Sequence, residues 1–448
     1  MSETKKAEIG ENEVDVMPTK ALFVDMLTRD IPIDRAVIDL IDNSVDGARR
    51  LRGDGPLDGL EVHVDLSRSE FTISDNCGGI SIHHAKTFAF RFGRPAGMTA
   101  TPGSVGQFGV GMKRALFKFG KRFEVSSTTA TESFKVDVDV EKWKSEDTPW
   151  TFEFTETRTG LNYPEDQTGT RISVAELHEN VADAFGDRRF RISLGRQIES
   201  AQQHYIDKGL RIVFDGRTLI TTPWSLLSGG GVEPACIEQT IAGDGKEPIH
   251  VRIYAGISKS DPKSSGWYVI CNGRMLLEAD QTSATGWSEL AETAGLAIPR
   301  FHNQFARFRG YVFFDCRDTS RLPWNTTKTG VDEDNAIYRG IRLKMMEITR
   351  PIIDFLNDVD AEKDYSDPRD RVLEQAIAAA SPSKLRDLPS KMTFSRPTGI
   401  RAPTTVSIQY RREKTLVEPL QKAFGVNSAR AVGESSFDFA YAKLVEED

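Results

Sequence analysis

Apolar and polar positions change period several times along the chain, and each change marks an element. Helical spacing begins near Leu22 and resumes from Asp34 through Arg52, where Ala36, Val37, Leu40, Ile41 and Val45 form an apolar surface. The stretch "LEVHVDLSRSEFTISDN" then alternates over two runs with a polar turn between them, which predicts a β-hairpin. From Phe88 to Gly111 the composition is that of a loop, with Gly93, Pro95, Gly97, Pro102, Gly103 and Ser104, and a helix follows from Met112 to Phe119. The runs "RFEVSSTT", "SFKVDVDVEKW", "WTFEFTET" and "GTRISVAEL" predict an antiparallel sheet. A helix near Arg191–Lys208 and a β-rich block from Leu210 to Asp315 predict a second domain, closed by the long amphipathic helix "IYRGIRLKMMEITRPIIDFLNDV" despite its Pro351. "SPSKLRDLPSKMTFSRPTGIRAP" has the chemistry of a linker, and the segment after it is expected to form a small β-α-β-like module.

Composition narrows the class without naming a function. With 448 residues there is room for two or three domains, and 39% hydrophobic with 28% charged residues suits a soluble globular protein. A net charge of −8 argues against coating nucleic acid by bulk charge, though a local basic groove stays open. Cys77, Cys236, Cys271 and Cys316 lie far apart with no C-x-x-C pair, so neither a zinc knuckle nor a disulfide framework is suggested. The seven histidines offer no H-E-x-x-H, and His83–His84 reads as a surface helix start. The polar N-terminus is not a signal peptide and no apolar run approaches the roughly 20 residues of a membrane span, so a reduced, cytoplasmic protein is expected.

Four motifs carry chemistry. "GSVGQFGVGMKRALFKFG" puts glycines ahead of a lysine and a helix, but Met112 intrudes between Gly111 and Lys113, and Arg114 stands where a P-loop needs a hydroxyl. The P-loop fails, although glycines before a helix N-terminus still suit an anion. In "DRAVIDLIDNSVDGA", spacings of four and three set Asp39, Asn43 and Asp46 along one face of a helix, beside an apolar surface. Such oxygens can hold Mg²⁺ together with phosphates and orient a water. "FTISDNCGGIS" puts Asp75 at a strand end before Gly78 and Gly79, where a carboxylate can accept from an exocyclic amine while a flat ring approaches the backbone. "QTGTRISV" opens a strand with Gly169 and Thr170, and the Thr170 hydroxyl is placed to support Asp75. Each motif alone is as well explained by an ordinary turn or a solvated helix face.

Their joint order, polar-row helix, Asp-Gly turn, glycine lid and Gly-Thr strand, resembles the GHKL ATPases: DNA gyrase B, the ninety-kilodalton heat-shock chaperone, MutL and the MORC proteins. The resemblance spans roughly residues 20–180 and implies an α+β chain: a GHKL (Bergerat) ATPase α/β sandwich followed by a transducer-type α/β domain and a small C-terminal module. It implies ATP and Mg²⁺ as ligands. Asn43 would coordinate the metal, Asp75 would read the adenine amine with support from Thr170, and Asp46, Gly79 and Ile80 would line the pocket. Gly106, Gln107, Phe108, Gly109, Val110, Gly111 and Lys113 would surround the phosphates as a lid. Asp39 falls where these families place a general base, usually glutamate. Being one methylene shorter, it implies slow turnover, since a misplacement of about 1 Å can cost on the order of a hundredfold. Cys77 takes the place of the first glycine of the family's Asp-x-Gly-x-Gly turn.

"GWYVICNGRMLLEAD" resembles the hairpin of the transducer domain, with Arg274 read as a hairpin arginine. "LPWNTTKTGVD" resembles the loop that returns a lysine, here Lys328, to the γ-phosphate. The expected organisation is an arm at 1–20, an ATP-binding domain at 21–182, a transducer-like domain at 183–360, a linker at 361–402 and the module at 403–448. The resemblance implies an ATP-gated homodimer, and the lack of a long apolar run adds the expectation of no membrane association. The two-domain length fits a MORC-like, DNA-associated ATPase best; Lys384, Arg386, Lys391, Arg396, Arg401, Arg411, Arg412 and Lys414 would offer the DNA contact, and the last module a protein partner. A heat-shock-chaperone-like or partner-signalling ATPase is the alternative.

Overall fold

The structure is a computed structural model and describes residues 18–92, 111–145, 149–243, 245–288, 297–325, 328, 330–365, 368–397 and 408–446. The expected arm up to Met17 and the lid residues Gly106, Gln107, Phe108, Gly109 and Val110 lie outside them.

Eight strands form the first sheet: β1 (Glu61–Leu66), β2 (Glu70–Asp75), β3 (Gly120–Thr128), β4 (Glu132–Asp139), β5 (Phe154–Thr159), β6 (Gly169–Leu177), β7 (Arg211–Phe214) and β8 (Arg217–Thr218). Their order is β5-β4-β3-β6-β2-β1-β7-β8, antiparallel throughout except where β1 and β7 run parallel. Alternation dictates the registers: Val62, Val64, Phe71, Ile73, Phe123, Val125, Ile172 and Val174 all turn inward. The sheet and its core run on to Leu219, past the residue-182 boundary expected for the ATP-binding domain, because β7 returns alongside β1.

The helices Ile33–Arg52, Gly111–Phe119 and Arg188–Asp207 pack over β2, β3, β6 and β7. The Ile33–Arg52 helix follows Pro32, carries Asp34 in its first turn and Arg49, Arg50 and Arg52 in its last, an arrangement that complements its dipole. It buries Val37, Ile38, Leu40, Ile41 and Val45, each worth roughly 1.5–3 kcal/mol. This anchoring is what lets the same helix hold polar side chains over the sheet.

The second sheet has the order β10-β11-β14-β12-β13, from β10 (Ala235–Gly243), β11 (Lys246–Ile257), β12 (Gly266–Cys271), β13 (Arg274–Asp280) and β14 (Phe308–Asp315). The helix Ala336–Ala361 packs on it, with Asn335 capping the amides of Ile337 and Tyr338. Part of the expected linker is packed on this unit. Ser381–Lys384 pairs with Ser225–Ser228, and Leu385, Leu388 and Phe394 are buried, so three apolar residues in a polar stretch suffice to pin it. The β-α-β expectation for the C-terminal module is corrected: residues 408–446 hold the helices Lys414–Phe424 and Ala429–Tyr441 and no strand among the described residues. Leu416 and Leu420, four apart, follow helical spacing there.

Candidate nucleotide site

The site builds outward from Asp75, the last residue of β2. Its Oδ2 accepts from the Ser44 hydroxyl at 2.6 Å. Its Oδ1 accepts from the backbone N–H of Cys77 at 2.9 Å and of Thr170 at 3.2 Å. Burial pushes this carboxyl above its ordinary range, while the three donors pull it back. Thr170 therefore supports Asp75 through its amide. Its hydroxyl instead meets Ser127 Oγ at 2.9 Å, and Ser127 Oγ also accepts from the Ile80 amide at 2.7 Å. Ser44 and Ser127 were not picked out by the sequence; each follows or faces a motif residue, and that adjacency was the available signal.

The turn after Asp75 is built tightly. Gly79 has φ +68°, and a Cβ there would stand 2.1 Å from the Thr128 carbonyl oxygen, so only glycine fits. Cys77, standing in place of a glycine, does not crowd a ring at Asp75. It is buried in the core against Gly47, whose own Cβ would lie 2.7 Å from the Cys77 carbonyl. Burial holds its thiol well above the usual range, so it is inert.

Along the Ile33–Arg52 helix the polar residues separate by direction. Ser44 reaches Asp75, and Asn43 beside it is exposed. Asp46 acts on Tyr205 together with Asp42. Asp39 lies against the start of the next helix: a Cβ on Gly111 would stand 3.4 Å from its Oδ2. Burial raises the Asp39 carboxyl above the ordinary range. Lys328 opposes this most strongly, Asp42 adds to it, and Arg274 and Arg114 oppose it. Four cations, Lys328, Arg274, Arg114 and Arg35, thus act on the two carboxylates, leaving positive charge beside a helix N-terminus, a setting that attracts an anion.

The two lysines engage other groups. Lys113 is buried, and its Nζ donates to the carbonyls of Ala89 at 2.9 Å and Arg91 at 2.6 Å; burial lowers its pKa to about 7. Lys328, at φ +52°, sets its Nζ 3.4 Å from Asp42 Oδ2. That left-handed backbone costs roughly 1–2 kcal/mol. Asp42, which the motif reading left out of the site, is 1% exposed and also accepts from Gln202 Nε2 at 2.7 Å. Arg274, read as a hairpin arginine, is likewise buried beside it, its Nε 3.6 Å from Oδ2. Burial alone would raise the Asp42 carboxyl, but Arg274, Lys328 and Gln202 outweigh it and hold it below the ordinary value.

Residues 31–170 match the family model described as Histidine kinase-, DNA gyrase B-, and HSP90-like ATPase. The match covers the polar-row helix, the Asp75 turn and Thr170, and it supports a GHKL-type, ATP-binding ATPase domain in this part of the chain. No curated protein matches the chain. No described helix is long and apolar enough to cross a membrane.

Proposed function

We propose that the chain is a Mg²⁺-dependent ATP-binding protein and slow ATPase whose second unit senses the terminal phosphate. The observation that carries this reading is Asp75: a half-buried carboxylate fixed by three donors at a strand end, with Ser44 tying it to the helix that presents Asn43. Asp75 accepts from the adenine amine, and the close-packed turn at Gly79 and Ile80 brings backbone to the ring. Asn43 offers one hard oxygen. Asn43 would hold Mg²⁺ there, and the ion would neutralise phosphate charge. Asp39 orients and deprotonates the attacking water, the Gly111 helix start receives phosphate oxygens, and Lys328 rewards the triphosphate over the diphosphate.

Titration calorimetry tests this directly. Asn43→Ala is expected to bind ATP without Mg²⁺ as the unaltered chain does, and to lose the gain that Mg²⁺ brings. Equal Mg²⁺ enhancement in both would remove the metal assignment.

The finer reading is an ATP-gated, MORC-like dimer with a DNA contact. Exposed Leu416, Leu420, Phe437, Phe439 and Tyr441 on the C-terminal helices support a docking role for that module. Of the basic positions, Arg396 pairs with Asp358 and Lys414 with Glu418, which reduces the charge left for phosphates. Light scattering with a non-hydrolysable ATP analogue, and salt-dependent DNA binding with and without it, test the two parts separately.

A further inference from the structure

Asp42 stands one position before Asn43, and its side chain lies in the seam between the two units. Three segments far apart in the chain meet on its carboxylate: Gln202 Nε2 at 2.7 Å on Oδ1, and Lys328 Nζ at 3.4 Å and Arg274 Nε at 3.6 Å on Oδ2. The three contacts are not equivalent. Gln202 makes a full hydrogen bond, Lys328 reaches the limit of one, and Arg274 falls just beyond it. Arg274 is 1% exposed, and its Nε and Nη1 have no acceptor among the described residues. A buried guanidinium left short of acceptors is costly, and with Lys328 Nζ already 3.4 Å from the same oxygen the Arg274 Nε stays 3.6 Å from it.

We propose that Lys328 and Arg274 exchange on Asp42 Oδ2. This rests on the reading of Lys328 as the phosphate sensor. Without triphosphate, Lys328 holds Oδ2. When the terminal phosphate beside Asp39 and Gly111 draws Lys328 away, the Arg274 Nε–H closes its gap and takes the oxygen, so the buried carboxylate is never left without a cation. Arg274 opens β13 directly after the Asn272–Gly273 turn, and that turn is docked by a hydrogen bond from the Tyr205 hydroxyl to the Asn272 carbonyl. The exchange therefore tightens the seat of the β12–β13 hairpin on the ATPase unit, where its turn is already docked. Arg274 is a positioning residue: it touches no nucleotide, and it sets how readily Lys328 can leave.

Mg²⁺-dependent affinities for a non-hydrolysable ATP analogue and for ADP test this. In Arg274→Gln, release of Lys328 strands Asp42. Analogue affinity is expected to fall about tenfold with ADP affinity unchanged within about twofold, the scale of an ordinary coupling between sites. Adding Asp42→Asn removes the stranded charge, and the double variant is expected to recover most of the loss. Removing both members of a buried pair is far milder for the fold than removing one. If Arg274→Gln does not fold, Arg274→Lys, which keeps the charge but shortens the reach, serves in its place. Equal weakening of analogue and ADP, no weakening, or a double variant no better than the single one would overturn the exchange. Lys328→Met separates the two layers. If it keeps the preference for analogue over ADP, the sensor reading itself fails. If it loses that preference while Arg274→Gln changes nothing, only the exchange fails.

Discussion

Asp75 gives the sharpest test because two substitutions there should part company. Asp75→Asn keeps an oxygen to accept from the amides of Cys77 and Thr170, now 2.9 and 3.2 Å away, while the Ser44 hydroxyl can rotate to meet the new NH₂. The fold should lose no more than about 1.5 kcal/mol, the net worth of one neutral hydrogen bond. The adenine amine, however, loses a charged acceptor worth about 1.5–3 kcal/mol, which is roughly a tenfold to hundredfold loss of ATP affinity. Asp75→Ala instead leaves the part-buried N–H groups of Cys77 and Thr170 without their acceptor, at up to about 1–3 kcal/mol each, so stability itself should drop, by as much as about 6 kcal/mol. Urea denaturation reads the fold and calorimetry reads the binding. A purine nucleoside triphosphate lacking the amine adds a control: it should bind the unaltered chain as weakly as ATP binds Asp75→Asn. If Asp75→Asn binds ATP undiminished, or if the unaltered chain does not discriminate the amine, Asp75 does not read adenine.

Further outcomes follow from the same geometry. Gly79→Ala combines a left-handed backbone with a Cβ 2.1 Å from the Thr128 carbonyl, and should cost at least about 2 kcal/mol in chemical denaturation. Asp39→Asn should abolish ATP turnover while leaving ATP binding intact. A carboxyl held above its ordinary range takes up its proton earlier on acidification, so the rate profile should fall at a higher pH than an ordinary aspartate gives. Unchanged turnover in Asp39→Asn removes the base assignment. Lys113→Met leaves the carbonyls of Ala89 and Arg91 without their ammonium, and hydrogen exchange at residues 85–92 should quicken relative to the rest of the first sheet.

Much of the first unit was legible because its information is local. The β1–β2 hairpin, the β3, β4, β5 and β6 runs and the Ile33–Arg52 helix each show their period within a dozen residues. The return of β7 beside β1 was not legible, since a parallel pair between Glu61–Val64 and Arg211–Phe214 leaves no mark in either segment. At the site, Asp75 and Thr170, which a hydrogen bond joins, could be singled out from motif chemistry. Asp42 belonged to the same motif as Asp39, Asn43 and Asp46 but could be given no role, because its partners Gln202 and Lys328 lie 160 and 286 residues away. Lys113 looked like a phosphate ligand by its place after the glycines, and only packing reveals the two carbonyls its ammonium meets.

Asp42, Asn43 and Ser44 are consecutive on a helix, so each is turned about 100° from the next. One meets Gln202 and Lys328 in the seam, one is exposed to solvent, and one donates to the Asp75 carboxylate. Three jobs are thereby written into adjacent letters of the gene. Slipping the helix by a single residue would misdirect all of them at once. In any recombination between related chains, this triplet and the hairpin bearing Arg274 are expected to be inherited together, however freely the surrounding loops are exchanged.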